Sequence, residues 1–563
     1  MIWIHGGAYH SGYSQGYTGW KVATEQNIVV VVIQYRLGAL GFLSSGDDFL
    51  PGNYGLWDQL LALKWVKDNI RGFGGDVSMI TIVGESAGAS SVSQHTVSRH
   101  SSGLFHRAVM MSGTVEAYWC FRRNPRATFD RMSKVAGCGE NSTSQESRLD
   151  CLMKVPADDI HSAAVATEAG DFVTFVPVID GNFFPNDLHN LLKDEDYLSS
   201  VGFYDYDVLM GVLNNEGVIT FTTLITLSPT VLATGRVPYQ DIDGVLLDGL
   251  MLQEQGENHD PNSKDAVNYR YFYPRDPAES SVPLRTFFDL YTDSSFAAPA
   301  VKYLRNHARR DGMSKAGAVS TPTPTPTTAA AQSPRQSKSY FYYFDWVPSL
   351  TRGSLFAGMP HGLDVDYLFG LTNASLARYG PMTPHGIISQ QEHDLSRMYG
   401  DMIGAFVRTG NPNNGISPSF NLGNQWLPYD VSKETFLRFS PTPSIDHHLR
   451  PSTTSLWVDL VPRLHSRWLQ QTANGIPGPT ATEIPGPTAT EKTPTAERSQ
   501  SEKLTDFNVT ASEANAMLIS LIIVSAVLLL LNLFLLVIFI RVCRRKTASK
   551  YEMKNMDRSH NNN

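Results

Sequence analysis

The sequence predicts an α/β fold in which helices flank a mostly parallel central sheet, and three observations carry that prediction. Short apolar runs rich in β-branched and aromatic residues alternate with helical stretches. Most of these runs are continuous rather than alternating, as expected of strands buried on both faces. One of them runs directly into a serine flanked by glycines, the pattern of a tight strand–turn–helix.

Taken in order, strands are expected at 1–4, 28–34, 79–83, 108–111, 208–212 and 340–344. Between the second and third, residues 57–69 read as an amphipathic helix. Active sites of such sheets gather at the carboxyl ends of the strands. The residues at those ends are therefore the ones to inspect.

The strand at 79–83 leads into Gly84-Glu85-Ser86-Ala87-Gly88, which fits G-x-S-x-G. Small flanking residues let strand and helix close around the turn, and the Ser86 hydroxyl is then exposed at the top of the sheet. A serine hydroxyl is a poor nucleophile until a base takes its proton, usually an imidazole oriented by a carboxylate. In this fold class the order along the chain is Ser, then Asp or Glu, then His. Glu216 ends the loop after the strand at 208–212, and His361 lies in the turn-rich loop Gly358-Met359-Pro360-His361-Gly362. The oxyanion of an acyl-transfer intermediate needs preorganised N–H donors, and loss of one typically costs about 3–4 kcal/mol. His5-Gly6-Gly7-Ala8 follows the first strand and can aim amides at the site, and the N–H of Ala87 is the usual further donor.

With 42% hydrophobic and 18% charged residues the chain is globular in composition, and its net charge of -8 argues against a nucleic-acid partner, whose phosphates need a broad basic face. Four cysteines, none at zinc-ligand spacing, give no metal site, and no cofactor is expected. Residues 516–540 carry no charge and one interior Asn, Asn532. At about 1.5 Å per residue they reach across a ~30 Å hydrocarbon core. Arg541, Arg544, Arg545 and Lys546 follow at once, which places the tail 541–563 in the cytoplasm and everything before 516 outside the cell. The expectation is a single-pass type I protein of the cell membrane. Cys543 then sits at the inner face as a palmitoylation site or a free thiol.

Four regions follow: a globular domain over 1–470, a Pro/Thr-rich stalk over 471–515, the span and the tail. IPGPTATE occurs twice in the stalk, at 476–483 and 484–491, and a second Pro/Thr-rich segment at 315–338 reads as an insertion in the domain. Outside the membrane, Cys138 and Cys151 are expected to form a disulfide, stabilising by roughly 3 kcal/mol. Asn141, Asn373 and Asn508 are glycosylation sequons on the same side. Met1 begins no signal peptide and opens directly in a strand pattern, so something near a hundred residues is expected to precede it.

Several segments together resemble the type B carboxylesterase/cholinesterase family. They are IHGGAYHSG (4–12), YRLGALGFLS (35–44), PGNYGLWDQLLALKWVKDNIRGFGGD (51–76), TIVGESAGASSV (81–92), FVPVIDGNFFP (175–185), LMGVLNNEG (209–217) and HGLDVDYLFG (361–370). The resemblance implies the α/β-hydrolase fold and ester hydrolysis through an acyl-enzyme. It maps the triad onto Ser86, Glu216 and His361, the oxyanion hole onto Gly7, Ala8 and Ala87, and a family disulfide onto Cys138–Cys151. It also implies an N-terminal segment before the oxyanion loop, without whose first strands the domain is not expected to fold stably. Glu85 and Trp119 match pocket positions of cholinesterases. Ile219 stands where those enzymes hold choline with an aromatic ring, and Asp171 and Val173 stand where acetyl-selective members narrow the pocket with phenylalanines. A broad carboxylesterase acting on a small-molecule ester is therefore expected rather than a choline-specific one. The rival reading is a neuroligin-like adhesion receptor with an extracellular protein partner, since neuroligins resemble the chain in domain, stalk, span and tail. Such proteins typically lack the nucleophile, whereas Ser86, Glu216 and His361 are all present. A homodimer is expected by family analogy alone.

Overall fold

The computed structural model describes residues 1–139, 144–168, 173–221, 223–224, 231–242, 246–255, 259–273, 280–309, 337–372, 388–415 and 426–473. The chain divides into two compact units, Met1–Glu483 and Ile484–Asn563, and the second lies outside the described residues.

Among the described residues, the first unit is built on an eight-stranded sheet. Its strands are β1 (Ile2–Ile4), β2 (Val31–Val32), β3 (Thr81–Glu85), β4 (Arg107–Met111), β5 (Asp207–Leu213), β8 (Ser339–Phe344), β9 (Thr435–Phe439) and β10 (Ser444–His447). A separate antiparallel pair, β6 (Arg236–Pro238) and β7 (Ser281–Pro283), stands apart from it. The order across the large sheet is β10-β9-β8-β5-β4-β3-β1-β2, and all neighbours are parallel except β9 and β10. Five of the six expected strands recur with ends shifted by at most two residues. The run at 28–34 forms a ladder only at Val31–Val32, at the sheet's edge, where its residues are half-exposed.

The register shows why the apolar runs are continuous. Ile2, Ile82, Ala108 and Val208 lie side by side and enter one core. Trp3, Val83, Val109, Leu209 and Tyr340, each one position on, lie side by side and enter the other. Every residue of β1, β3, β4, β5 and β8 is thus buried, and each fully buried aliphatic or aromatic side chain contributes about 1.5–3 kcal/mol.

The helix Tyr54–Asn69 covers the first face through Leu56, Leu60, Leu63 and Val66, at helical spacing. It starts three residues before the expected 57, and exposed Leu61 and Trp65 break the polar outer face the reading assumed. The helix Gln390–Thr409 covers the second face with Leu395, Met398, Met402, Ile403 and Phe406. It begins in a capping box of Ser389 and Glu392 and ends at Gly410 in the left-handed region, φ 72°. A third apolar cluster, including Val218, Phe221, Leu246, Phe287 and Phe288, is built from segments that follow β5.

Cys138 and Cys151 are disulfide-bonded, with Cα atoms 5.7 Å apart. Cys120 is a buried thiol that donates to Ala117 O at 2.9 Å, and burial pushes its pKa up to about 12. No helix among the described residues is long and apolar enough to cross a membrane. The expected span at 516–540, the stalk beyond 473, most of the insertion at 315–338, and Asn141, Asp171, Asn373, Asn508 and Cys543 lie outside the described residues.

Candidate active site

Ser86 is the residue at which β3 ends and the helix Ala87–Thr96 begins. Its backbone is at φ 58°, ψ -124°, a region an L-residue occupies only when its surroundings hold it there. The hold is visible in the packing. A Cβ on Gly84 would lie 2.4 Å from the carbonyl of Gly88, and one on Gly88 would lie 2.0 Å from Ile4 O. Ser86 N donates to Met111 O at 2.8 Å, and Ser90 N to Ser86 O at 2.9 Å. The turn is locked to β1 and β4, and Ser86 keeps 7% exposure.

Glu216 lies three residues past the end of β5 and is wholly buried. Its Oε1 accepts hydrogen bonds from Ser112 Oγ at 2.5 Å and Leu213 N at 2.8 Å. Its Oε2 stands 2.6 Å from His361 Nδ1. With Nδ1–H as the donor, the Nε2 lone pair of His361 is left available as a base.

That Nε2 is 3.2 Å from Glu85 Oε1, and among the described residues it makes no hydrogen bond to Ser86 Oγ. Ser86 and His361 are brought together through shared neighbours. Glu85 precedes the serine in the chain, and Phe296 both packs on the imidazole at 4.8 Å and lines the cavity beside Ser86. Burial pulls the proton affinity of His361 down, but Glu85, then Glu216 and Asp364, more than reverse this, and its pKa rises to about 9. Burial, with the charges of Glu85 and Glu216, pushes the Asp364 carboxyl well above the usual carboxylate range.

The loop after β1 turns at Gly7, φ 110°, and Ala8, φ 54°, with Gly7 O accepting from His10 N and Ser11 N. The amides of Gly7 and Ala8 donate no hydrogen bond among the described residues. Ala87, as the first residue of its helix, has no intrahelical acceptor for its N–H. These three donors are thus unengaged; Ala8 lines one cavity with Ser86, and Ala87 opens the ten-residue helix whose positive end adjoins the serine.

A cavity of about 130 Å³ opens beside Ser86, with Ala8, Trp119, Val173, Ile219, Leu246 and Phe296 among its walls. Among the described residues no charged side chain lines it. Trp119 is fixed by Nε1–H donation to Ser295 O at 2.9 Å. Of the pocket residues expected from sequence, Trp119, Val173 and Ile219 line this cavity, while Glu85 does not and instead faces the imidazole. Ser112, Leu246, Phe287 and Phe296 escaped the sequence reading. Ser112 alone left a trace there, as a polar residue just past an apolar strand. The other three have the spacing of ordinary core positions.

Residues 1–457 match the family model of the carboxylesterase family. The chain is similar to bile salt-activated lipase of Mus musculus, 31% identical over 478 residues, which covers 81% of this chain and 71% of that protein. It is also similar to neuroligin-2 of Homo sapiens, 27% identical over 475 residues, covering 83% of this chain and 52% of that one. Neuroligin-3 of Mus musculus is 28% identical over 479 residues, covering 83% and 52%. The chain thus spans about half the length of the neuroligins it matches.

Proposed function

Because this chain belongs to the carboxylesterase family, we propose that it is a serine ester hydrolase that works through an acyl-enzyme on Ser86. The observation that carries the reading is the strained Ser86 elbow beside a histidine whose Nδ1 is 2.6 Å from a buried glutamate.

In the acylation step His361 Nε2 turns from Glu85 to Ser86 Oγ and takes its proton as Oγ attacks the ester carbonyl carbon. Contacts of this kind are often loose without substrate and tighten when it binds. The carbonyl oxygen gains negative charge and accepts hydrogen bonds from Gly7, Ala8 and Ala87. The imidazolium keeps its Nδ1–H on Glu216, while Glu85 offers a second negative charge. The Nε2 proton then passes to the departing alkoxide, leaving an acyl ester on Ser86. Water, deprotonated by His361, attacks that ester, and the serine leaves with the proton.

The cavity's described walls are uncharged and set the aliphatic side chains of Val173, Ile219 and Leu246 among the rings of Trp119, Phe287 and Phe296, a lining that suits a neutral, apolar acyl ester. We extend the reading to a type I glycoprotein of the cell membrane, held by 516–540, with its catalytic domain outside. Exposed Tyr269, Leu460 and Leu469 near the domain's C-terminal helix Val461–Ala473 favour self-association there.

A second reading is adhesion through an extracellular protein partner, favoured by the similarity to neuroligins over 83% of the chain. The discriminating experiment treats intact cells with a fluorophosphonate, which labels only an activated serine. Labelling at Ser86 that vanishes in Ser86→Ala supports the hydrolase. A folded, surface-displayed protein that takes no label turns the reading to adhesion.

A further inference from the structure

Glu216 and His361 occupy two loops 145 residues apart in sequence, and their 2.6 Å contact depends on how those loops are fastened together. Side chains outside the triad do the fastening. Asn214 Oδ1 accepts from Met359 N at 2.7 Å, and Asn215 Nδ2 donates to Phe356 O at 3.1 Å and Ala357 O at 3.2 Å. Arg285, from the helix Leu284–Thr292, then closes the seam. Its Nη2 donates to Asn214 O at 2.9 Å on the acid's loop, and its Nη1 donates to Ala357 O at 2.7 Å on the base's loop.

The backbone confirms how tight this seam is. At Gly358, φ 133°, a Cβ would lie 2.7 Å from Asn215 Cβ, 3.0 Å from Asn214 Oδ1 and 3.2 Å from Arg285 Nη1. Glycine is what lets the base's loop approach all three.

We propose that Arg285 is a positioning residue whose guanidinium fork fastens the loop of Glu216 to the loop of His361 and so holds their contact at its length. The inference rests on the reading of His361 as the base. Arg285 is not a core residue: its side chain is 41% exposed, and its ion pair among the described residues is with Asp289 on its own helix, at 3.1 Å. A partly exposed pair of that kind adds little to stability. The two carbonyls are what the fork is matched to, and a lysine ammonium lacks the second rigid arm. His361 itself is faced by the carboxyls of Glu216, Glu85 and Asp364, so loosening the seam removes one of three groups that raise its proton affinity.

The test uses the full chain in its membrane, with Arg285→Ala, Arg285→Lys and, as a control that spares the fork, Asp289→Asn. Two signals are read. The first is the pH profile of neutral aryl ester hydrolysis. The second is the far-downfield proton resonance of His361 Nδ1–H, recorded on solubilised protein and independent of turnover. For Arg285→Ala we expect kcat to fall roughly 10- to 100-fold with KM nearly unchanged. We expect the acidic limb to move down by about one pH unit and the downfield resonance to broaden or vanish. Arg285→Lys restores these only in part, and Asp289→Asn leaves them as they are. An Arg285→Ala protein that folds and keeps the parental limb and resonance overturns the proposal. A parent with no hydrolysis defeats the esterase reading instead, and the resonance alone then decides the fastening. If Arg285→Ala does not fold, Arg285→Gln, which keeps two amide hydrogens but no fork, is judged by the same two signals.

Discussion

His361 Nε2 and Glu85 Oε1 stand 3.2 Å apart, so the imidazole is held between two carboxylates, Glu216 on one nitrogen and the residue before Ser86 on the other. A base so placed is a strong one, and it is protonated at a pH where an ordinary histidine is already neutral.

The sign of the pH dependence follows. Under the proposed mechanism only neutral His361 can accept the serine proton, so kcat/KM should rise with pH along a limb set by its raised pKa. That limb should lie above the ordinary imidazole value of about 6.5. Glu85→Gln removes a charge that favours the imidazolium, so the limb should move to lower pH. A profile of kcat/KM against pH for both proteins reads this directly. A limb that stays in place, or moves upward, would show that Glu85 does not act on the base.

The elbow makes a second prediction. Gly88→Ala would drive a methyl to 2.0 Å from Ile4 O, against backbone that cannot step aside. The cost should be about 3 kcal/mol or more, seen as a lowered unfolding temperature and poor surface display. Gly72, with nothing within 4 Å of its would-be Cβ, is the matched control, and Gly72→Ala should be tolerated. Equal unfolding temperatures for the two variants would refute the packing argument.

The disulfide gives a third. Cys138 and Cys151 enclose a short loop, and cutting it with the pair Cys138→Ser and Cys151→Ser should cost about 2–4 kcal/mol without altering KM. Thermal unfolding and aryl ester kinetics on the same preparation separate the two effects. A large change in KM would mean that the loop reaches the substrate.

What could be read in the sequence was what both faces of the sheet demand. β3, β4, β5 and β8 are buried at every position, so their apolar runs stand out. β10 is the polar run Ser444–His447 at an exposed edge, and β9 carries half-exposed Arg438, so neither has the signature sought. β2 failed in the opposite way, as an apolar run of six with a ladder of two. Within the site, Ser86 declares itself because glycine is needed on both sides, and Glu216 and His361 by their order along the chain. Leu246, Phe287 and Phe296 were hidden because a wall of a cavity and a wall of a core ask for the same residues.

Part of the cavity's wall, including Leu246 and Phe287, belongs to the third apolar cluster, while Ser86 is held by the sheet and the helix that follows it. On the hydrolase reading, heritable change can therefore reshape which acyl groups are accepted, by exchanging Leu246 or Phe287, without disturbing the strands that hold Ser86. A lineage carrying this fold can diversify its diet of esters, or abandon hydrolysis for recognition, while inheriting the same scaffold.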